Sequence, residues 1–431
     1  MTRRPRLLFL SQTLPYPPDA GVKIRTYHVL RLLASAFETT ALCFYRWKGG
    51  RAHQDVPAAV RALSRLAQVE AFPIPQEHHP WRLVWDHLRS ALRGRVYTVF
   101  AYESPSFRSR LQALLREAAF DLVHVDSLDL SAYLPLAANL PVACVHHDVE
   151  SALLRRRAQH EAAWWRRAYV DHQATLMERE ERYWCERVAV NVTVSDLDRA
   201  TLEGLAPRGR FVVVPNGVDT ETLRPDAGGE GGIVFVGGST WFPNQDAMTY
   251  FCEAILPLVR ARDGRTSMRW VGRASEEERA RYRRDYGIEL TGYVPDVRPY
   301  VSDAACYVVP LRIGGGTRIK ILDAWAMGKA VVSTSIGCEG LAATDGENIL
   351  VRDTPEAFAA AVCEVLRDRE LRSRLGRAAR ATAERIYSWD VIGEQMIRTY
   401  LGLLESSPGR EGVATVSANR PTAVSSRLPR R

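Results

Sequence analysis

Apolar residues come in short unbroken runs at 6–11, 39–44, 121–125, 142–145, 188–194, 211–214, 233–238, 268–272 and 306–311. Runs of that length without polar alternation suit strands buried on both faces of a parallel sheet. Between them the period changes. Ile24, Val29, Leu30, Leu32 and Leu33 predict a helix over 22–36, Ile319, Ile321, Leu322, Trp325 and Ala326 predict one after Thr317, and 391–404 predicts the last. Ser195 stands as the cap of another helix. Strands alternating with helices argue for α/β, doubly wound sheets. The alternation resumes after Pro215-Asn216-Gly217-Val218-Asp219, so two α/β halves follow one another, 1–208 and 209–388, joined near residue 208.

In such sheets ligands bind at the carboxyl ends of the strands. Four polar stretches occupy such ends. Three lie in the first half: Asp19 to Arg25, Asp126 to Asp129, and His146-His147-Asp148-Val149-Glu150. The plain alternative for each is a solvated, capped loop, a reading that suits Asp126 to Asp129 better than the His146 to Glu150 run, and Asp126 with Asp129 reads better as a pair of loop carboxylates. The fourth is Gly314-Gly315-Gly316-Thr317-Arg318-Ile319-Lys320, a glycine loop running into a helix. Glycine lets backbone approach a ligand, and a helix N-terminus favours an anion. Arg318 and Lys320 oppose the dipole of their own helix unless an anion sits between them. The plain alternatives are a flexible turn and an i,i+3 surface ion pair of Lys320 with Asp323. The stretch is neither a Walker A loop nor a G-x-G-x-x-G fingerprint.

Composition narrows the class. With 46% hydrophobic and 25% charged residues the chain is of ordinary soluble type, and no apolar run nears the roughly 20 residues of a transmembrane helix. Leu7 to Leu10 is too short for a signal-peptide core. Seven scattered cysteines without a C-x-x-C pair suit buried thiols in a reducing cytoplasm and argue against a metal site. The net charge of +8 is concentrated before residue 226 and in the Ser/Pro/Arg-rich tail 406–431, which is expected to be disordered. Such a bias fits an anionic membrane surface or a phosphate-bearing substrate; no nucleic-acid-binding motif accompanies it. Across 153–184 arginines alternate with Trp164 and Trp165, either as an interfacial membrane helix or as a solvated face with two core tryptophans.

Taken together, Pro15 to Gly21, His147-Asp148-Val149-Glu150, Val194-Ser195, Pro215 to Asp219, Val236-Gly237, Thr291-Gly292-Tyr293-Val294-Pro295-Asp296, Gly314 to Asp323 and Gly328 to Thr334 resemble the retaining nucleotide-sugar glycosyltransferases of family 4. Within that family the chain is most similar to sugar transferases of exosortase-associated exopolysaccharide clusters. The resemblance implies a GT-B fold: an acceptor domain at 1–208, a donor domain at 209–388, and a crossover helix at 389–405 returning from Tyr387-Ser388-Trp389. It implies a nucleoside-diphosphate sugar donor, a lipid-linked glycan acceptor, no cofactor and no metal, and a cytoplasmic protein peripheral to the membrane. Gly315, Gly316, Thr317, Arg318 and Lys320 would hold the diphosphate, Asp323 the ribose, and Gly237, Gly238 and Asn244 would form the facing loop. His147 would lie at the donor sugar, with Asp19, Gly21, Lys23, Arg25 and Glu150 lining the acceptor side of the cleft. His147, Arg318 and Lys320 are the expected catalytic groups.

The sequence departs from the family in three places. Gly315 stands where relatives often have glutamate, and Asp323 replaces the usual ribose-binding glutamate. Gly238-Ser239-Thr240-Trp241-Phe242-Pro243-Asn244 replaces the family's Arg and Lys, a charge that Arg318 and Lys320 are expected to supply. Two other readings stay open: a GT-B sugar-nucleotide epimerase, and a catalytically silent nucleotide-binding subunit.

Overall fold

The computed structural model describes residues 3–18, 21–48, 51–52, 54–77, 80–159, 161–226, 229–313 and 319–405. The tail after 405 and the loop 314–318 lie outside them. The first half contains β1 (Arg6–Ser11), β2 (Glu38–Tyr45), the short β3–β4 hairpin (Trp47–Lys48, Arg51–Ala52), β5 (Gln68–Pro73), β6 (Leu122–Val125), β7 (Val142–His146), β8 (Val190–Thr193) and β9 (Phe211–Val213). Apart from the hairpin these form one parallel sheet in the order β5-β2-β1-β6-β7-β8-β9. The second half adds β10 (Ile233–Val236), β11 (Met268–Val271), β12 (Glu289–Leu290), β13 (Cys306–Val309), β14 (Val331–Ser333) and β15 (Leu350–Val351), in the order β12-β11-β10-β13-β14-β15.

Alternation along the strands gives each sheet two cores. Leu7 and Phe9 pack with Val29, Leu33, Ile392 and Met396, whereas Leu8 and Leu10 face Phe107, Leu111 and Tyr133. In the second half Phe235 and Trp270 lie on one side, Val234 and Val271 on the other with Ile321 and Trp325. In both sheets chain order reverses at the centre, between β1 and β6 and between β10 and β13. A crevice forms at the carboxyl ends of such strand pairs.

Three expectations change. The division at 208 falls too early: β9 pairs with β8, so the first sheet extends to Val213. The helix expected over 153–184 is two helices, Glu150–Gln159 and Trp164–Cys185. Its tryptophans are not core residues, since Trp164 and Trp165 are exposed. Ser195 caps the helix Asp196–Leu205, its side chain accepting from the Asp198 amide.

The last helix, Trp389–Glu405, lies on the first half. Its Trp389 stacks on His28 with ring centroids 4.4 Å apart, and Gln395 Nε2 donates to the Val213 carbonyl at 2.6 Å. The linker passes directly beneath: a methyl group on Gly217 would fall inside the Trp389 indole, and Val218 bridges Ser388. The two strands of chain that join the halves therefore run side by side. All seven cysteines are buried, and none forms a disulfide.

Candidate active site

At the carboxyl edge of the first sheet the organising group is Asp126, directly after β6. It is fully buried, where an unpaired carboxylate would be costly. Its Oδ2 accepts from Thr26 Oγ1 at 2.7 Å and from Ser11 Oγ at 3.1 Å. Its Oδ1 lies 3.3 Å from His147 Nε2 and 3.5 Å from His124 Nε2. Burial alone would raise this carboxyl, but the charge of His147 and the close approach of both imidazoles hold it well below the usual range. His124, stacked on Phe9, meets the Tyr400 hydroxyl through Nδ1 at 2.8 Å. A buried chain thus runs from the last helix through His124 and Asp126 to His147. Asp126 is a buried loop carboxylate rather than a solvated one, and Nε2 of His147 is turned inward toward it.

Arg25 is also not where the sequence placed it. It is buried within the first helix, Gly21–Ala36, and spends its guanidinium on the linker between the halves. Nη1 donates to the Pro215 carbonyl at 2.7 Å and to Asn216 Oδ1 at 2.9 Å; Nη2 donates to the Val214 carbonyl at 2.9 Å. A planar fork meeting three fixed acceptors is a structural clamp, so Arg25 is removed from the cleft residues. Gly21 does face the cleft: a Cβ there would lie 3.5 Å from Ile319 Cδ1 of the second half. Lys23 is half-buried two residues further along the same helix, and Asp19 lies outside the described residues. Glu150 opens its helix beside Asp129 and Asp148. Burial first, then the charges of Asp129, Asp148 and Glu181, push its carboxyl well above the usual range.

The second sheet brings its candidates together at the β10–β13 switch. Asn244, near the start of the helix Phe242–Tyr250, is buried and bonded on both sides. Its Nδ2 donates to the Gly238 carbonyl at 2.9 Å, and its Oδ1 accepts from Lys320 Nζ at 2.6 Å. Gly237 must be glycine here, because a Cβ would lie 2.5 Å from Asn244 Nδ2. Lys320 also lies 4.4 Å from the centre of the Phe235 ring, so the surface pair with Asp323 is not what holds it. Asp323 follows on the helix Ile319–Ala326 with no hydrogen bond to its carboxylate among the described residues. Burial, with the charge of Asp219 adding, pushes it up to about 7. Gly315, Gly316, Thr317 and Arg318 lie outside the described residues.

One group was underrated by the sequence reading and one escaped it. Asp126 carried one signal, a carboxylate directly after a central strand, but was read only as a loop carboxylate. Tyr400 carried none, since its partner is 276 residues away.

Residues 21–222 match the family model described as Glycosyltransferase Family 4, and residues 230–368 the model described as Glycosyl transferases group 1. A phosphatidyl-myo-inositol mannosyltransferase of Mycobacterium leprae is 26% identical over 315 residues, 69% of this chain and 77% of that protein. Among solved structures, sucrose-phosphate synthase from Thermosynechococcus elongatus superposes with a TM-score of 0.67 at 17% identity, covering 93% of this chain and all of that one. Anabaena Alr3699/HepE, solved with UDP-glucose, gives 0.62 at 14% identity over 92% of this chain and 99% of its own. At such identities the likeness shows the shared two-domain fold.

Proposed function

The chain belongs to the GT-B glycosyltransferases, a Glycosyltransferase Family 4 domain followed by a group 1 domain, and from that premise we propose a retaining transfer of a sugar from a nucleoside diphosphate to a lipid-linked saccharide. The carrying observation is the second-half edge: Lys320 fixed on Asn244 at the switch point, with the half-buried Asp323, which accepts no hydrogen bond among the described residues, beside it and the first half facing it at Gly21. A nucleoside diphosphate would set its phosphate oxygens against the Lys320 ammonium and its ribose hydroxyls against the Asp323 carboxylate.

In the proposed reaction the bond from the sugar C1 to the β-phosphate oxygen breaks and its electrons leave with the phosphate. The acceptor oxygen bonds C1 on the same face, and its proton passes to the departing phosphate. Lys320, Arg318 and the backbone N–H groups of the glycine loop meet the growing negative charge without a metal. His147, turned by Asp126, offers Nδ1 to the sugar. A UDP-sugar donor is supported by the UDP-glucose complex of the Anabaena protein, and a lipid acceptor by the name of the mycobacterial relative. Exopolysaccharide assembly at the inner membrane face follows from the sequence resemblance and the basic first half. One substitution favours a silent binding subunit: Gly315 where relatives carry glutamate.

Donor hydrolysis tests the reading. Purified chain is expected to release nucleoside diphosphate slowly from its cognate sugar nucleotide, and Lys320→Ala to lose that release. Nucleotide binding with no release from any sugar nucleotide would sink the transferase reading in favour of the silent subunit.

A further inference from the structure

The helix Pro80–Arg93 is turned inside out. Its polar residues Asp86 and Ser90 are 0% exposed, while Trp81 is 81%, Val84 58%, Trp85 53%, Leu88 49% and Leu92 75% exposed. Positions 81, 84, 85, 88 and 92 form one helical stripe, the stripe that normally packs into a core. The orientation is fixed from below. Asp86 accepts from Arg82 Nε at 3.1 Å and pairs with Arg89 at 3.7 Å, and Ser90 Oγ donates to the Arg95 carbonyl at 2.7 Å. His87 meets Tyr169 edge-on at 5.5 Å, so the helix Trp164–Cys185, whose Trp164 and Trp165 are exposed at its start, lies beside this one.

We propose that this face, the outward stripe of Pro80–Arg93 with Trp164 and Trp165, docks the enzyme on an anionic lipid bilayer. The inference deepens the membrane association proposed above by naming its surface, and it rests on that reading. Tryptophans beside arginines suit the headgroup boundary. Arg93, Arg166 and Arg167 are exposed and have no acid within ion-pair range among the described residues; Arg166 lies 5.0 Å over the Trp165 ring. A second copy would set these cations against themselves in a chain already at +8. No helix among the described residues is long and apolar enough to cross a membrane, so the chain would lie on the surface. Beneath the stripe the His87 ring is 4.5 Å from Tyr97.

The test sediments the full chain with vesicles of phosphatidylcholine alone and of phosphatidylcholine with phosphatidylglycerol, at low salt. Binding is expected to the anionic vesicles only, falling about tenfold or more in Trp85→Glu/Leu88→Glu and again in Arg166→Glu/Arg167→Glu, at about 1 kcal/mol per basic residue. Thermal stabilisation by UDP should survive in both variants and certifies their fold. Anionic-vesicle binding that neither variant weakens overturns the proposed surface while leaving membrane association standing. Absence of binding to either vesicle overturns both. A dimer in light scattering that Trp85→Glu dissociates assigns the face to a second copy instead.

Discussion

Asp323 ties stability to ligand binding. Folded, it keeps its proton up to about 7; in an unfolded chain a carboxyl loses it near 3.8. Between those values the folded state binds more protons, so stability falls as pH rises through the window. Asp323→Asn removes that loss. The variant should match the wild type near pH 4 and exceed it near pH 8 by about 1–3 kcal/mol in urea denaturation, allowing for the residue's partial contact with solvent. Ribose hydroxyls favour the ionised form, so wild-type UDP affinity should rise as pH passes through about 7. In Asp323→Asn it should be weaker and flat, as titration calorimetry would show; a pH-independent wild type removes Asp323 from the ribose site. Asp126 runs the other way. Its depressed carboxyl stabilises the fold above the unfolded value and loses that contribution in acid. Asp126→Asn should therefore lower the urea midpoint most at neutral pH and little in acid.

At the level of elements, legibility followed the depth of burial. Strands buried on both faces, such as β1, β6 and β13, announce themselves as unbroken apolar runs. The edge strand β5 reads Gln-Val-Glu-Ala-Phe-Pro and is half-exposed, so no such run marks it. That Gly237, Asn244 and Lys320 come together was legible because each follows a strand at the switch point. Arg25 was misread because a basic residue after a strand looks the same whether it awaits a phosphate or a carbonyl. The helix Pro80–Arg93 shows a further limit: periodicity reveals two faces but not which is inward, and only the buried Asp86 decides. The crossing of linker and last helix makes its own prediction. Gly217→Ala forces a methyl into Trp389 and should cost about 1–3 kcal/mol of stability by urea denaturation, while Gly402→Ala, with open space around it, should cost little.

For the whole molecule, the decisive contacts are those that cross between the halves. Arg25 clamps the linker from within the first half, and Arg156 reaches Glu339 of the second at 3.1 Å. Arg25→Ala strands three acceptors and should lower stability by about 2–3 kcal/mol, with Arg25→Lys recovering only part because one ammonium cannot span them. Arg156→Ala, a partly exposed pair, should cost under about 1 kcal/mol. If both changes cost the same in urea denaturation, the linker clamp is not special.

The return of Trp389–Glu405 to the first sheet also governs how such enzymes can be recombined. The segment encoded last belongs physically to the half encoded first: it covers Val29 and Leu33 and completes the Tyr400-His124-Asp126-His147 chain. A chimera that exchanges everything after the linker would graft a foreign helix onto this sheet and orphan His124. A donor-half swap therefore has to be an insertion between about 219 and 387, with the final helix left with its original partner.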